Sequence, residues 1–289
     1  MIKLLRGGYM SIKRYGPFII FFYVFAVIAL ICASAWDLPL DMKLNNPDSL
    51  FAIWFRNTGE IPSRLIPVLA GAVLAKTCEK KIQKLCGCII CLGGSAYLGY
   101  HMAQYFFAAD KNHMQPEDIA FGILYGIGVG VITLMVIRLI HIPKAMAAPL
   151  RRIAVICIIV MFAQIIIIEG SKYLWGRVRF RDLLKAGSYD SFTPWYHPNG
   201  INGNKSFPSG HTAGAGMSFT MMFLPYISKK WRKKTALCFF LPFIYTCTVG
   251  FTRLIMGAHY LSDITVGAVI SFTVVIIAIK LYEKKFGRG

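Results

Sequence analysis

Residues 17–36, PFIIFFYVFAVIALICASAW, form an unbroken apolar run of the length a membrane-spanning helix needs, roughly 20 residues. Lys3, Arg6, Lys13 and Arg14 precede it, as in a secretory signal, but the run is longer than a signal's apolar stretch and more runs follow. It is therefore read as a retained first span. Working outward, further runs lie at 61–76, 85–108, 118–140, 153–171, 209–228, 235–251 and 260–281, giving eight candidate spans. The second is short and holds Arg64. The sixth is rich in Gly and polar at its start, which suits a helix packed inside a bundle. The expected fold class is all-α, a polytopic transmembrane helical bundle. A hydrophobic content of 56% over 289 residues excludes an ordinary soluble domain.

The formal charge of +19 would suggest nucleic acid in a soluble protein. Here it has a topological explanation, and no nucleic-acid partner is expected. With eight spans and a cytoplasmic N-terminus, the inner segments are 1–16, 76–84, 138–152, 229–234 and 280–289, and they hold most of the 32 Lys and Arg. The positive-inside rule then puts both termini in the cytoplasm, in what reads as a bacterial plasma membrane. Lys172, Arg177, Arg179, Arg181, Lys185, Lys205 and Arg253 fall on the outer side and need another explanation.

Elsewhere the chain is plainer. Leu50, Phe51, Ile53, Trp54 and Phe55 follow Asp48 and Ser49, so a short capped helix is expected near 48–58, either interfacial or an ordinary loop helix. Cys86, Cys88 and Cys91 lack the partners of a zinc site and read as small apolar residues of a buried helix. No repeat, low-complexity tract or soluble second domain is evident.

Three polar clusters stand at the outer ends of the last four spans. They are Lys172 to Arg181, then Phe207-Pro208-Ser209-Gly210-His211-Thr212, then Thr252-Arg253 to His259 and Asp263. Taken alone, a His or Arg near a span end is an interfacial anchor or a snorkelling side chain. Three clusters on one side of the membrane point to a site. Lys172, Arg179 and Arg253 can neutralise a phosphate. Ser209 and Gly210 open a helix whose N–H groups face an anion. His259 and Asp263, four residues apart, would share a helical face, the carboxylate fixing the imidazole tautomer. His211 could then act as general acid and base.

The spacing Lys-x6-Arg, Pro-Ser-Gly-His and Arg-x5-His-x3-Asp resembles the three-part signature of the type 2 phosphatidic acid phosphatase (PAP2) superfamily, in its membrane-bound lipid phosphatase branch. The resemblance implies a six-helix-type core in the C-terminal half, with 151–289 catalytic and 1–150 supplying additional transmembrane helices. It implies that His259 is a nucleophile forming a phosphohistidine, that Asp263 orients it, and that His211 protonates the leaving oxygen and then activates water. Lys172, Arg179, Ser209, Gly210 and Arg253 would bind the phosphoryl oxygens, with no metal or cofactor. Two positions depart from the pattern. Phe180 stands where the family usually has Pro, and Thr252 where it commonly has Ser.

Secondary positions carry weaker readings. Arg177, Arg181, Lys185 and Lys205 either widen the positive field for a diphosphate or anchor the chain to anionic headgroups. Trp175, Trp195 and Tyr196 fit an aromatic belt, and Glu169 is an interfacial carboxylate or a partner of a signature cation. Asn204-Lys205-Ser206 is a glycosylation pattern, discounted because a glycan there would obstruct the site.

The expected activity is hydrolysis of a lipid phosphate monoester or diphosphate at the extracytoplasmic face. Phosphatidic acid, phosphatidylglycerophosphate, undecaprenyl diphosphate and lipid A phosphates are candidate substrates, the third slightly favoured by the cation-rich 177–205 loop. Alternatives are a lipid phosphotransferase using the same site, or an anion-binding or transport protein without turnover. The oligomeric state is left open.

Overall fold

The structure, a computed structural model, describes residues 10–106 and 114–287. Lys3, Arg6, Lys111 and the last two residues of the expected third span lie outside that description. Among the described residues the regular secondary structure is all helical, without strands. In order come α1 (Gly16–Leu44), α2 (Leu50–Thr58), α3 (Ile61–Thr77), α4 (Lys81–Phe106), α5 (Pro116–Leu139) and α6 (Lys144–Trp175). They are followed by α7 (Phe180–Ala186), α8 (Gly210–Gly216), a 3-10 stretch (Met217–Phe223), α9 (Leu224–Ile227), α10 (Lys229–Arg232), α11 (Thr235–Ile255) and α12 (Leu261–Phe286).

Six of these, α1, α4, α5, α6, α11 and α12, are long and apolar enough to cross a membrane, and the chain is an integral membrane protein. The other two expected spans differ from the six. α3 has only 17 residues. The run expected at 209–228 is divided into α8, the 3-10 stretch and α9. A physical reason is visible in its packing. A Cβ at Gly216 would lie 2.7 Å from Cβ of Ser271 on α12, so this segment runs unusually close to its neighbour. It is also buried almost all round, through Thr212–Met217, Phe219, Met222 and Phe223, and occupies the bundle's centre among α3, α6, α11 and α12.

α1 packs against α11 and α12 along an aromatic seam. Phe22 stacks on Phe272 with centroids 4.0 Å apart, and Phe18 stacks on Phe239 at 5.2 Å. Such pairs contribute about 0.5–1.5 kcal/mol each beyond their buried area. At the end away from the motifs, Glu283 accepts the N–H of Ile12 at 2.5 Å and the Tyr226 hydroxyl at 2.6 Å, fastening the start of the described chain to its last helix. The short helix expected near 48–58 is α2. Ser49 caps it by accepting the N–H of Ala52 at 3.4 Å, while Leu50, Phe51 and Trp54 stay exposed.

α4 and α5 pack chiefly on each other and on α3. The α4–α5 seam is built from small residues. A Cβ on Gly99 would sit 2.0 Å from the Gly122 carbonyl oxygen and 2.8 Å from the Gly126 Cα. Backbones in lipid approach this closely only where side chains vanish, because dispersion at close range drives helix association there. Gly99→Val should separate the two helices at a cost of about 1–3 kcal/mol. The expected result is a lower melting temperature in detergent, measured by intrinsic fluorescence, with the chemistry at the motif residues spared once folded.

Candidate active site

The three polar clusters converge at one end of the bundle, where α6, α11 and α1 finish and α8 and α12 begin. His259 lies in the turn between α11 and α12. That turn reverses at Gly257, whose φ of +55° favours glycine, and a Cβ there would meet Asn45 Oδ1 at 2.8 Å and the Phe180 ring at 3.0 Å. Asp263 is the third residue of α12, and its Oδ2 accepts the N–H of Tyr260 at 3.0 Å, closing a capping box. His259 thus precedes the helix rather than sharing a helical face with Asp263.

The consequence is visible at the imidazole. His259 Nδ1 is 2.7 Å from the Ser206 carbonyl oxygen and 3.6 Å from Asp263 Oδ2. Nδ1–H donates to the carbonyl, and the carboxylate acts beside it mainly through its charge. Nε2 therefore keeps its lone pair. Burial pushes His259 down to about 4. Asp263 opposes that shift, and the positive charges of Arg253 and Arg179 add to it. The ring is neutral at physiological pH.

Asp263 is saturated. Oδ2 also accepts the Ser206 hydroxyl at 2.5 Å, and Oδ1 accepts Arg177 Nη1 at 2.6 Å. Arg177 is fully buried, so the reading of it as a surface cation for field or headgroups is wrong. Its Nη2 donates to Asp37 Oδ2 at 2.9 Å, its Nη1 also reaches Ser262 Oγ at 2.8 Å, and its Nε donates to the Thr193 carbonyl at 2.9 Å. The guanidinium lies 4.1 Å from the Tyr260 ring centroid. Asp37, on α1, further accepts the backbone N–H and the hydroxyl of Ser262. Two carboxylates from opposite ends of the chain thus share one arginine.

His211 follows the cap of α8. Ser209 Oγ accepts the N–H of Thr212 at 3.3 Å, and Ser209 N donates to the Asp263 carbonyl at 2.9 Å. His211 Nδ1 faces Glu60 Oε1 at 3.4 Å, while its buried Nε2 has no hydrogen-bond partner. Lys172 Nζ is paired with Glu169 at 2.5 Å and would lie 3.0 Å from a Cβ on Gly210, so the first and second clusters touch. Arg179 heads α7, with Nη2 donating to the Lys205 carbonyl at 3.4 Å and Nε unpartnered. Arg253 is buried, its Nη1 reaching only Met256 Sδ at 3.6 Å and its Nε unpartnered, and no carboxylate pairs with it among the described residues.

Glu169 is the partner of a signature cation rather than an isolated interfacial carboxylate. Phe180, in place of proline, is buried with Leu183 and Tyr260 and starts α7. The Thr252 hydroxyl turns back to the Val249 carbonyl of its own helix at 2.7 Å. Arg181, Lys185 and Lys205 are exposed, and Lys205 lies over the Tyr173 ring. Trp175 stacks on Phe207 and donates to the Trp195 carbonyl at 2.6 Å. Asp37, Glu60, Ser206 and Ser262 were not anticipated as part of the site. Asp37 did carry a signal, being an acid at the end of an apolar span.

The histidines and cations thus gather at one end of a bundle whose long helices are apolar enough to cross a membrane. Residues 153–286 match the family model described as PAP2 superfamily. That match places the segment in a phosphatase-type superfamily. Comparison with curated proteins and with solved structures gave no match.

Removing one partner from a buried ion pair leaves uncompensated charge and costs about 3–5 kcal/mol. Arg177→Met should therefore lower the detergent melting temperature sharply. Adding Asp37→Asn should restore part of the loss, and a double-mutant cycle on the melting curves measures the coupling.

Proposed function

We propose that the protein hydrolyses a lipid phosphate monoester or diphosphate through a phosphohistidine on His259. The observation that carries this reading is Arg253, a buried guanidinium with no carboxylate partner among the described residues, within electrostatic reach of both His259 and His211. A buried cation of this kind is stabilised by an anion. The Nδ1 atoms of both imidazoles face acceptors, Ser206 for His259 and Glu60 for His211.

In the proposed reaction, His259 Nε2 attacks phosphorus and the bond to the leaving oxygen breaks. His211, protonated, gives that oxygen its proton. Water then attacks the phosphohistidine, His211 takes a proton from it, and the N–P bond breaks to release phosphate. Lys172, Arg179, Arg253 and the backbone at Ser209 and Gly210 hold the phosphoryl oxygens and stabilise their charge in the transition state. Asp263 and the Ser206 carbonyl fix the nucleophile's tautomer.

An apolar cavity of about 180 Å³ supports a lipid substrate. Ala26 and Ala29 of α1 and Phe243 and Cys247 of α11 line it, and it reaches Thr212 beside His211 and Leu254 beside Arg253. The positive-inside reading puts both termini in the cytoplasm and this cavity's polar end in the outer leaflet. Burial of Arg177 removes one cation on which the preference for undecaprenyl diphosphate rested, leaving Arg181, Lys185 and Lys205 at the surface. Phosphatidic acid, phosphatidylglycerophosphate and lipid A phosphates stand beside it as substrates.

The test is phosphate release in detergent from a panel of these lipids with EDTA present throughout. His259→Ala should abolish release, and vanadate should inhibit it. Full release by the mutant would remove His259 from the role of nucleophile, and a strict need for divalent metal would count against charge stabilisation by the cations alone. The depressed His259 pKa predicts that the nucleophile stays neutral as pH falls, so its own acid limb in kcat/KM should lie near pH 4. Ala29→Trp should fill the cavity and raise KM for long-chain lipids several-fold. A short-chain soluble phosphate should be hydrolysed as before.

A further inference from the structure

Glu60 stands outside the matched segment 153–286, and none of the three signature clusters contains it. It heads α3, yet its side chain makes none of the capping bonds a residue at that position can make. It turns instead into the site. Oε1 faces His211 Nδ1 at 3.4 Å, and Oε2 accepts Arg64 Nη2 at 2.5 Å. Arg64 Nη2 also lies 3.0 Å from His101 Nδ1, and His101 Nε2 is 3.8 Å from Glu60 Oε2. The carboxylate is largely buried, and room for it exists because position 214 on α8 is glycine. A Cβ there would lie 3.1 Å from Glu60 Cγ. The centre of the bundle is thus carved to admit an acid from the N-terminal half.

We infer that Glu60 is a positioning residue for His211, holding its Nδ1–H so that Nε2 faces the leaving oxygen and stabilising the imidazolium form. The inference rests on the proposed role of His211 as general acid and base. Its logic is that of any histidine that exchanges protons through one nitrogen. The other nitrogen must be held, and a carboxylate partner both fixes the tautomer and favours the charged ring. His211 otherwise faces positive or titrating groups: Arg253 from α11, His259 from the turn before α12, Arg64 from α3 and His101 from α4. Glu60 is the carboxylate paired with it among the described residues. Arg64 in turn shares that carboxylate, so it holds Glu60 in place and weakens its pull on the ring.

This arrangement makes two substitutions act in opposite directions. In the first step His211 must carry a proton, so kcat/KM falls on the alkaline side as the ring deprotonates. Glu60→Gln removes the negative charge. Its alkaline limb should move about one pH unit down and kcat should fall roughly 10- to 100-fold with KM unchanged. Arg64→Gln removes the competing positive charge and should move the same limb up. Glu60→Asp keeps the charge but shortens the reach, and should lose kcat with little shift of the limb. A merely structural glutamate would not separate these three profiles.

The experiment is the pH profile of phosphate release for these variants of the full chain, with His211→Gln alongside and melting curves for each. A downward limb shift and a kcat loss at unchanged KM in Glu60→Gln support the inference, and Arg64→Gln shows the limb's response to the opposite change of charge. If His211→Gln is inactive but Glu60→Gln keeps wild-type kcat and an unmoved limb, the role of Glu60 is overturned while that of His211 stands. If His211→Gln keeps full activity, the acid–base role of His211 itself falls. Should Glu60→Gln fail to fold, Glu60→Asp decides the matter: a loss of kcat with KM unchanged supports the inference, and wild-type kcat overturns it.

Discussion

A single guanidinium, that of Arg177, ties the turn that bears His259 to the first helix of the bundle. It is fully buried and satisfies Asp263 on α12 and Asp37 on α1 together. Asp263 in turn caps α12, receives the Ser206 hydroxyl and stands behind His259. Burying such a group is costly, and replacing the whole cluster with apolar residues could leave the fold as stable or more so. Its retention therefore points to a gain other than stability. The cluster holds three segments, distant in sequence, in one geometry beside His259, the proposed nucleophile.

The same economy recurs around the second histidine. A backbone hydrogen bond from Ser209 to Asp263 and the capping of α8 fix where the Pro-Ser-Gly-His turn sits against α12. A Cβ on Gly267 would meet the Ser209 carbonyl oxygen at 2.5 Å, so α12 must be bare at that level. Glycine at 210 and at 214 leaves space for Lys172 on one side and Glu60 on the other. Small residues in this bundle are thus placed where charged side chains must pass, as well as where helices touch.

Much of this was legible in the sequence, for identifiable reasons. Apolar length marks spans, and the eight runs correspond to α1, α3, α4, α5, α6, the 210–227 segment, α11 and α12. The signature residues could be named because their spacing is itself the signal. What stayed hidden depends on partners. Arg177 and Arg179 are alternate residues in one basic run, and nothing local says that one is sealed between two aspartates while the other has no carboxylate ion pair among the described residues. Ser206 acts through its carbonyl, which every residue has. Glu60 precedes a short span and is separated from His211 by most of the chain, so only the packing of α3 on α8 brings them together. Where a helix breaks was likewise beyond composition, because the 3-10 stretch answers to close contact with α12.

The shared arginine also bears on how the chain is made. α1 emerges from the ribosome early, carrying Asp37 and Asp41 at the end of an apolar span, long before residue 177 exists. An acid near the end of a span can sit at the water interface while it waits, or enter lipid protonated, so insertion of the first helix does not require its partner. Sealing does. Only when α6, the loop after it and α12 have arrived can Asp37 give up water for Arg177. The turn that bears His259 is then fixed in the same act that docks the first helix against the last.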